Sequence, residues 1–263
     1  VLDGRVAVEV VAGAQGRNGE IKMERRVLGT PRRELMVLME GGRVRGAETQ
    51  GGRPGRGWEE AVLEILAPDG FQPESLLYLG GGSGTLGRIL SQRFPHAEVR
   101  LVEMDEGVMD LARAHFKEWD GWDNRTGAAS GVLGGSGGTV AQVVLVDGNA
   151  LPMLGGCPSV TEAEWRRLAS QVGGEGFVVI GALESSESHS AHVTPEALST
   201  LEAGAGTWFA RVALYRKDSP GGEVNLLREG KPGPESFLVL SKEGAFPLPP
   251  VLSGFSLVEG EGA

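Results

Sequence analysis

Three glycines in "LLYLGGGSGTLGRIL" (residues 76–90), Gly80, Gly82 and Gly84, stand between an apolar strand-like run and an apolar pattern of helical period. Glycines at a strand-to-helix turn let a ligand come close to the backbone, and the amides opening the helix favour anionic or polar groups. Glu103 follows Gly84 by 19 residues and ends the next strand-like run, where a carboxylate can accept hydrogen bonds from ribose hydroxyls. Residues 82–87, Gly-Ser-Gly-Thr-Leu-Gly, also fit the dinucleotide fingerprint, so spacing alone leaves NAD as a competitor. A simpler reading, glycines that only permit a tight turn, stands beside both.

Asp147 and Asn149 close the apolar run of "VVLVDGNALP" with polar groups that can orient or deprotonate a nucleophile. An aspartate there serves equally well as a turn cap. Trp58 and Glu59 open a short helical pattern and can line a substrate pocket. The remaining reactive residue types form no constellation. His189 and His192 have helical spacing but no third ligand, so no metal site is expected. His96 reads as surface, His115 as the border of a helix face, and Cys157, without a basic neighbour in sequence, as packed.

The elements that must hold these residues alternate. From Leu76, strand patterns at "LLYL", "VRLV", "VVLV" and "GFVVI" are separated by helical faces, including Leu86, Ile89, Leu90 and Phe94, then Val108, Leu111, Ala112, Phe116 and Trp119. Thr161 and Glu164 form a capping box opening the helix of Trp165, Leu168, Ala169 and Val172. Thr194-Pro195 starts a last helix, and "WFARVALY" and "SFLVLSK" close the domain as strands. Such alternation predicts an α/β fold with a doubly wound, mostly parallel sheet. Residues 1–52 instead carry alternating valines and a Gly41-Gly42 hairpin turn. They predict a small antiparallel β-appendage, leaving 53–263 for the α/β domain. The glycine-rich "GAASGVLGGSGG" reads as a flexible insertion.

Composition bounds the function. The 263 residues carry a net charge of −10, which argues against nucleic acid as a partner. The basic run Lys22, Arg25, Arg26, Arg32 and Arg33 reads as a solvated face. No apolar run reaches the roughly 20 residues of a membrane span. A single cysteine and no secretory signal pattern predict a reducing compartment, cytoplasm or an organellar matrix such as the mitochondrial one. The start at Val1 reads as a processed end or a fragment boundary.

Two stretches, "LVEMDEGVMDLARAHF" and "TEAEWRRLASQVGGEGFVVIG", resemble class I S-adenosylmethionine-dependent methyltransferases. From about Arg33 to Lys242 the chain resembles their spermidine-synthase-like branch, through "LMVLMEGGRVRGAET", "YLGGGSGTLGR" and "SFLVLSK". "GCPSVTEAEW" and "GGEVNLL" are similar to a branch that methylates translation elongation factor 1-alpha. The resemblance implies S-adenosylmethionine at Gly80, Gly82, Gly84 and Glu103, with Asp147 and Asn149 as catalytic positions.

The departures matter as much. Spermidine synthases have an acid where Ser83 stands, a tyrosine-histidine pair where Gly57-Trp58 stands, and a second aspartate in the region of Asn149 and Ala150. Their third strand ends in a glycine-aspartate that reaches the adenine, and residues 117–142 show no acid at the expected place. A cationic diamine needs paired carboxylates to offset its desolvation, so aminopropyl transfer is not expected. Two expectations remain: a methyltransferase acting on a protein or small amine, or an inactive methyltransferase-fold subunit of a larger complex. A homodimer is a further expectation.

Overall fold

Residues 6–28, 33–67, 71–116, 122–123, 140–148, 151, 153–154, 157–158, 160–184, 195–217, 235–243, 251–252 and 255–258 are described by the structure, a computed structural model. The chain opens with β1 (Val6–Gly16), β2 (Gly19–Leu28), β3 (Arg33–Glu40) and β4 (Arg43–Thr49), paired in that order as a four-stranded antiparallel sheet. Glu40 pairs with Arg43 across Gly41 and Gly42, whose φ angles are 54° and 80°. Positive φ at both central residues is what a type I′ hairpin requires, so the glycine pair sets this register. Three residues of the basic run are paired within the sheet: Arg25 with Glu34 and Glu9, Arg26 with Glu24, and Lys22 with Glu20.

The α/β part follows: α1 (Gly57–Ile65), β5 (Ser75–Leu79), α2 (Thr85–Arg93), β6 (Glu98–Val102), α3 (Glu106–His115), β7 (Trp122–Asp123), β8 (Ala141–Asp147), α4 (Glu162–Gln171), β11 (Val172–Glu184), α5 (Pro195–Gly206), β12 (Arg211–Lys217) and β13 (Glu235–Ser241). Short β9 (Met153–Leu154) and β10 (Cys157–Pro158) pair with each other, and β14 (Val251–Leu252) and β15 (Phe255–Val258) end the chain. One nine-stranded sheet runs in the order β14-β15-β12-β13-β11-β8-β5-β6-β7. From β7 through β6, β5, β8 and β11 the pairing is parallel, and the β13, β12 and β15 side is antiparallel. This is the α/β architecture that the strand-helix alternation predicts.

The pleat sends alternate residues to two cores. Leu76, Tyr78, Val143, Leu145, Phe177 and Val179 pack with Trp58, Val62, Leu86 and Leu90 of α1 and α2. Leu77, Leu79, Val144, Val146, Val178 and Ile180 pack on the other face with Trp165, Leu168, Leu201 and Ala205 of α4 and α5. α4 opens with the expected capping box: Glu164 N–H donates to Thr161 Oγ1, and Thr161 N–H donates to Glu164 Oε2. α3 ends earlier than its apolar pattern, because Phe116 already leaves the helix with extended ψ of 169°. Trp119 lies outside the described residues.

A third core joins the two sheets. Ile21, Met23 and Leu38 of the N-terminal sheet are fully buried against Val108, Ala112 and Phe116 on and just past α3. Each such side chain removed from water contributes about 1.5–3 kcal/mol. The sheet is therefore packed onto the α/β part, and that packing brings β4 over the C-terminal ends of β5, β6 and β8.

Candidate functional site

In doubly wound sheets, ligands bind beyond the carboxyl ends of the parallel strands. Here β5 ends in Leu79 and runs straight into the glycine turn. Gly80, Gly82 and Gly84 all have positive φ, at 75°, 48° and 73°, and Gly84 is the N-cap of α2. Gly80 N–H donates to the Val102 carbonyl, tying the turn to the end of β6. The three glycines picked out from sequence are thus the residues that make the turn.

Glu103 follows β6 directly and its residue is only 2% exposed. Its Oε1 accepts from Met104 N–H at 2.8 Å, Asp105 N–H at 3.1 Å and Arg45 Nη2 at 3.0 Å. Its Oε2 accepts from Gly82 N–H at 3.1 Å and from the same Arg45 nitrogen at 3.1 Å. These donors take up the roughly four lone-pair sites of a carboxylate.

Arg45 comes from β4. Its Nη1 donates to Glu40 Oε2, and Glu40 Oε1 accepts from Asn18 N–H at 3.0 Å. Burial lowers the Arg45 pKa, but the carboxylates of Glu103, Asp147 and Glu40 outweigh that and raise it above the ordinary arginine value. The guanidinium is permanently charged, and it is fixed between two acids.

Asp147, the last residue of β8, is fully buried and bound to a second arginine. Arg56 Nη1 donates to Asp147 Oδ2 at 2.6 Å and to the Arg45 carbonyl at 3.3 Å. Its guanidinium lies 5.0 Å from the centroid of the Trp58 ring. Again burial lowers the arginine pKa, and Asp147 and Glu59 more than reverse it. Arg56 is also the N-cap of α1, with extended φ of −105° and ψ of 130°, so the start of that helix aims the side chain at β8.

Glu59 and Trp58 stand on the same helix turn and are buried at 1% and 0% exposure. Glu59 Oε1 accepts from Tyr78 O–H at 3.0 Å. Burial, together with the Glu59 charge, pushes the Tyr78 phenol well up, so it stays a donor. Trp58 packs edge-on to Tyr78 at 6.0 Å, and a Cβ built on Gly181 would lie 2.0 Å from its ring. Trp58 is thus a core residue wedged against the β11 end.

The candidate residues Gly80, Gly82, Gly84, Glu103, Asp147, Trp58 and Glu59 therefore converge on one buried cluster. Asn149 lies outside the described residues, as do His189, His192, the glycine-rich insertion and the side chain of Cys157. His96 is exposed and His115 half-buried. Among the described residues no group of His, Cys, Asp and Glu is arranged to hold a metal ion. No described helix is long and apolar enough to cross a membrane.

Sequence reasoning missed the cluster's cations. Nothing in the spacing of Arg45 or Arg56 marks them, since each meets its acid only through tertiary packing. One absence is also corrected. An acid does follow the second strand's helix: β7 pairs in parallel with β6, and Asp123 stands in register with Val102, next to Glu103. Only two residues long, β7 carries no periodicity from which a strand can be read.

No protein-family model and no curated protein sequence matches the chain. Solved structures do. A probable spermidine synthase from Corynebacterium glutamicum superposes with a TM-score of 0.61 at 16% identity, covering 89% of this chain and 80% of its own. A spermidine synthase in complex with the transition-state analogue AdoDATO gives 0.58 at 15%, over 89% and 72%. Human methyltransferase-like protein 13, in complex with SAH, gives 0.50 at 19%, over 73% and 82%. The chain has the class I methyltransferase-like fold.

Whether the residues present fit S-adenosylmethionine can be tested at the turn. A Cβ on Gly82 would lie 1.8 Å from the Arg45 carbonyl oxygen, and one on Gly46 would lie 2.5 Å from Ser83 Cβ. The β4 backbone therefore lies directly on the glycine turn, and the acid for ribose hydroxyls is already saturated. In this arrangement the residues do not fit the cofactor.

Proposed function

We propose that this chain is a methyltransferase-fold protein that performs no group transfer and acts as a structural or assembly subunit. The Arg56–Asp147 pair carries this reading. A carboxylate that deprotonates or orients an amine must present a free oxygen to it. Asp147 is instead held at 2.6 Å by a guanidinium, with no exposure to solvent. Aminopropyl transfer is disfavoured further because a cationic diamine would meet two buried arginines beside the acids.

The second reading, a methyltransferase acting on a protein or small amine with S-adenosylmethionine, is supported by the positive-φ glycine turn and by Glu103 beside it. Methyl transfer relies mainly on proximity and alignment, and it can proceed without a strong base. Incubating the pure chain with methyl-labelled S-adenosylmethionine and a panel of cell proteins and amines separates the two. No label transferred is the expected result. Transfer that Glu103→Ala or Asp147→Ala abolishes would overturn the structural reading.

A further inference from the structure

We propose that β4 is a built-in occupant of the cofactor groove, and that Arg45 is the latch that keeps it there. The inference rests on the fold and the turn rather than on the absence of catalysis, so it stands or falls separately from the reading above.

Three observations point the same way. Arg45 fills the acceptor positions of Glu103 that ribose hydroxyls would use. The backbone at Arg45 and Gly46 lies on Gly82 and Ser83, and a Cβ on Gly82 or Gly46 would collide there. Farther along the strand, Glu48 clamps β4 to the helix that follows the turn. Glu48 Oε2 accepts from Thr85 Oγ1 at 2.7 Å and from Arg88 Nη2 at 3.2 Å, and Arg88 Nη2 also donates to the Gly52 carbonyl at 2.6 Å. The strand is thus fastened at two points, one on Glu103 and one on α2.

The latch can be released. Arg45 Nε and Arg88 Nε are buried without a hydrogen-bond partner, so neither fastening is fully satisfied. A buried donor left unpaired costs free energy that displacement would recover. Arg45 follows a two-residue glycine hairpin, and of its carboxylate partners Glu40 ends β3 while Glu103 follows β6 in the other sheet's part of the chain. Swinging β4 away from the turn exchanges the Arg45 contact on Glu103 for ribose hydroxyls and uncovers Gly82. The sheet and its latch then make S-adenosyl ligands compete with the protein's own strand.

The test is calorimetric titration with S-adenosylhomocysteine of the full chain and of Arg45→Gln/Glu40→Gln. The paired substitution removes one charge of each sign, and Glu103 keeps the Gly82, Met104 and Asp105 N–H donors. Cooperative urea unfolding and near-ultraviolet circular dichroism confirm folding. The wild type should give no heat at millimolar ligand, and the double variant should bind about tenfold tighter or more. Arg88→Gln, which loosens only the α2 fastening, should give a smaller gain with faster amide exchange in β4. Micromolar binding by the wild type, matched by the double variant, would overturn the latch. So would folded variants of both kinds that bind no better than wild type. Either result leaves the labelled-transfer experiment to judge catalysis on its own.

Discussion

Replacing Arg56 by methionine removes one guanidinium from a site where every neighbour is buried. The Nη1–Oδ2 distance of 2.6 Å corresponds to about 6 kcal/mol of attraction at an effective dielectric of about 20. Desolvation of the two ions opposes that gain, so the intact pair itself contributes far less. The variant, however, keeps the cost and loses the compensation, because Asp147 remains at 0% exposure. Breaking a buried pair in this way costs about 3–5 kcal/mol, a large share of the 5–15 kcal/mol that holds a typical domain folded. Urea unfolding followed by tryptophan fluorescence at neutral pH measures it. Arg56→Met/Asp147→Asn removes the orphaned charge and should recover about half of the loss or more, about 2 kcal/mol. A loss under about 1 kcal/mol, or equal losses in the single and double variants, would refute the assignment of Arg56 as the counter-ion that Asp147 depends on.

Asp105 caps α3 by accepting from Gly107 N–H at 2.8 Å and Val108 N–H at 3.3 Å. Burial raises its pKa, but the Arg17, Val108 and Gly107 amides outweigh this and hold it below the ordinary range. A lowered acid stabilises the fold above its unfolded value of about 3.9 and loses that contribution as pH falls through the folded value, so Asp105→Asn should flatten the acid limb of stability against pH. Gly181→Ala should cost about 1–3 kcal/mol by overpacking and shift the Trp58 emission, since the new methyl would sit 2.0 Å from the indole. An unshifted emission spectrum with unchanged stability would show that the Trp58 ring does not pack there.

Local pattern determined the elements and the turn. The glycines at 80, 82 and 84 had to mark a strand-to-helix junction, because positive φ there excludes most other residues. Alternating apolar runs marked the central strands, and the side chains at Leu76 and Leu77 do face opposite cores. Thr161 and Glu164 satisfy each other over four residues of chain, so their capping box needed no tertiary partner. Glu103 was legible for the same reason: its distance from the turn is set by one helix and one strand.

Tertiary structure alone decided what that acid does. Arg45 meets Glu103 across 58 positions, and Arg56 meets Asp147 across 91. The first exists because Ile21, Met23 and Leu38 bury themselves on α3 and so lay β4 over the turn, and the second because the start of α1 sets Arg56 against the end of β8. An ion pair of that kind leaves no trace in composition or spacing, since guanidinium and carboxylate are brought together by the packing of other residues. The sequence by itself specified a nucleotide-type turn beside a carboxylate. The packing of one sheet on another determined that this carboxylate is already occupied.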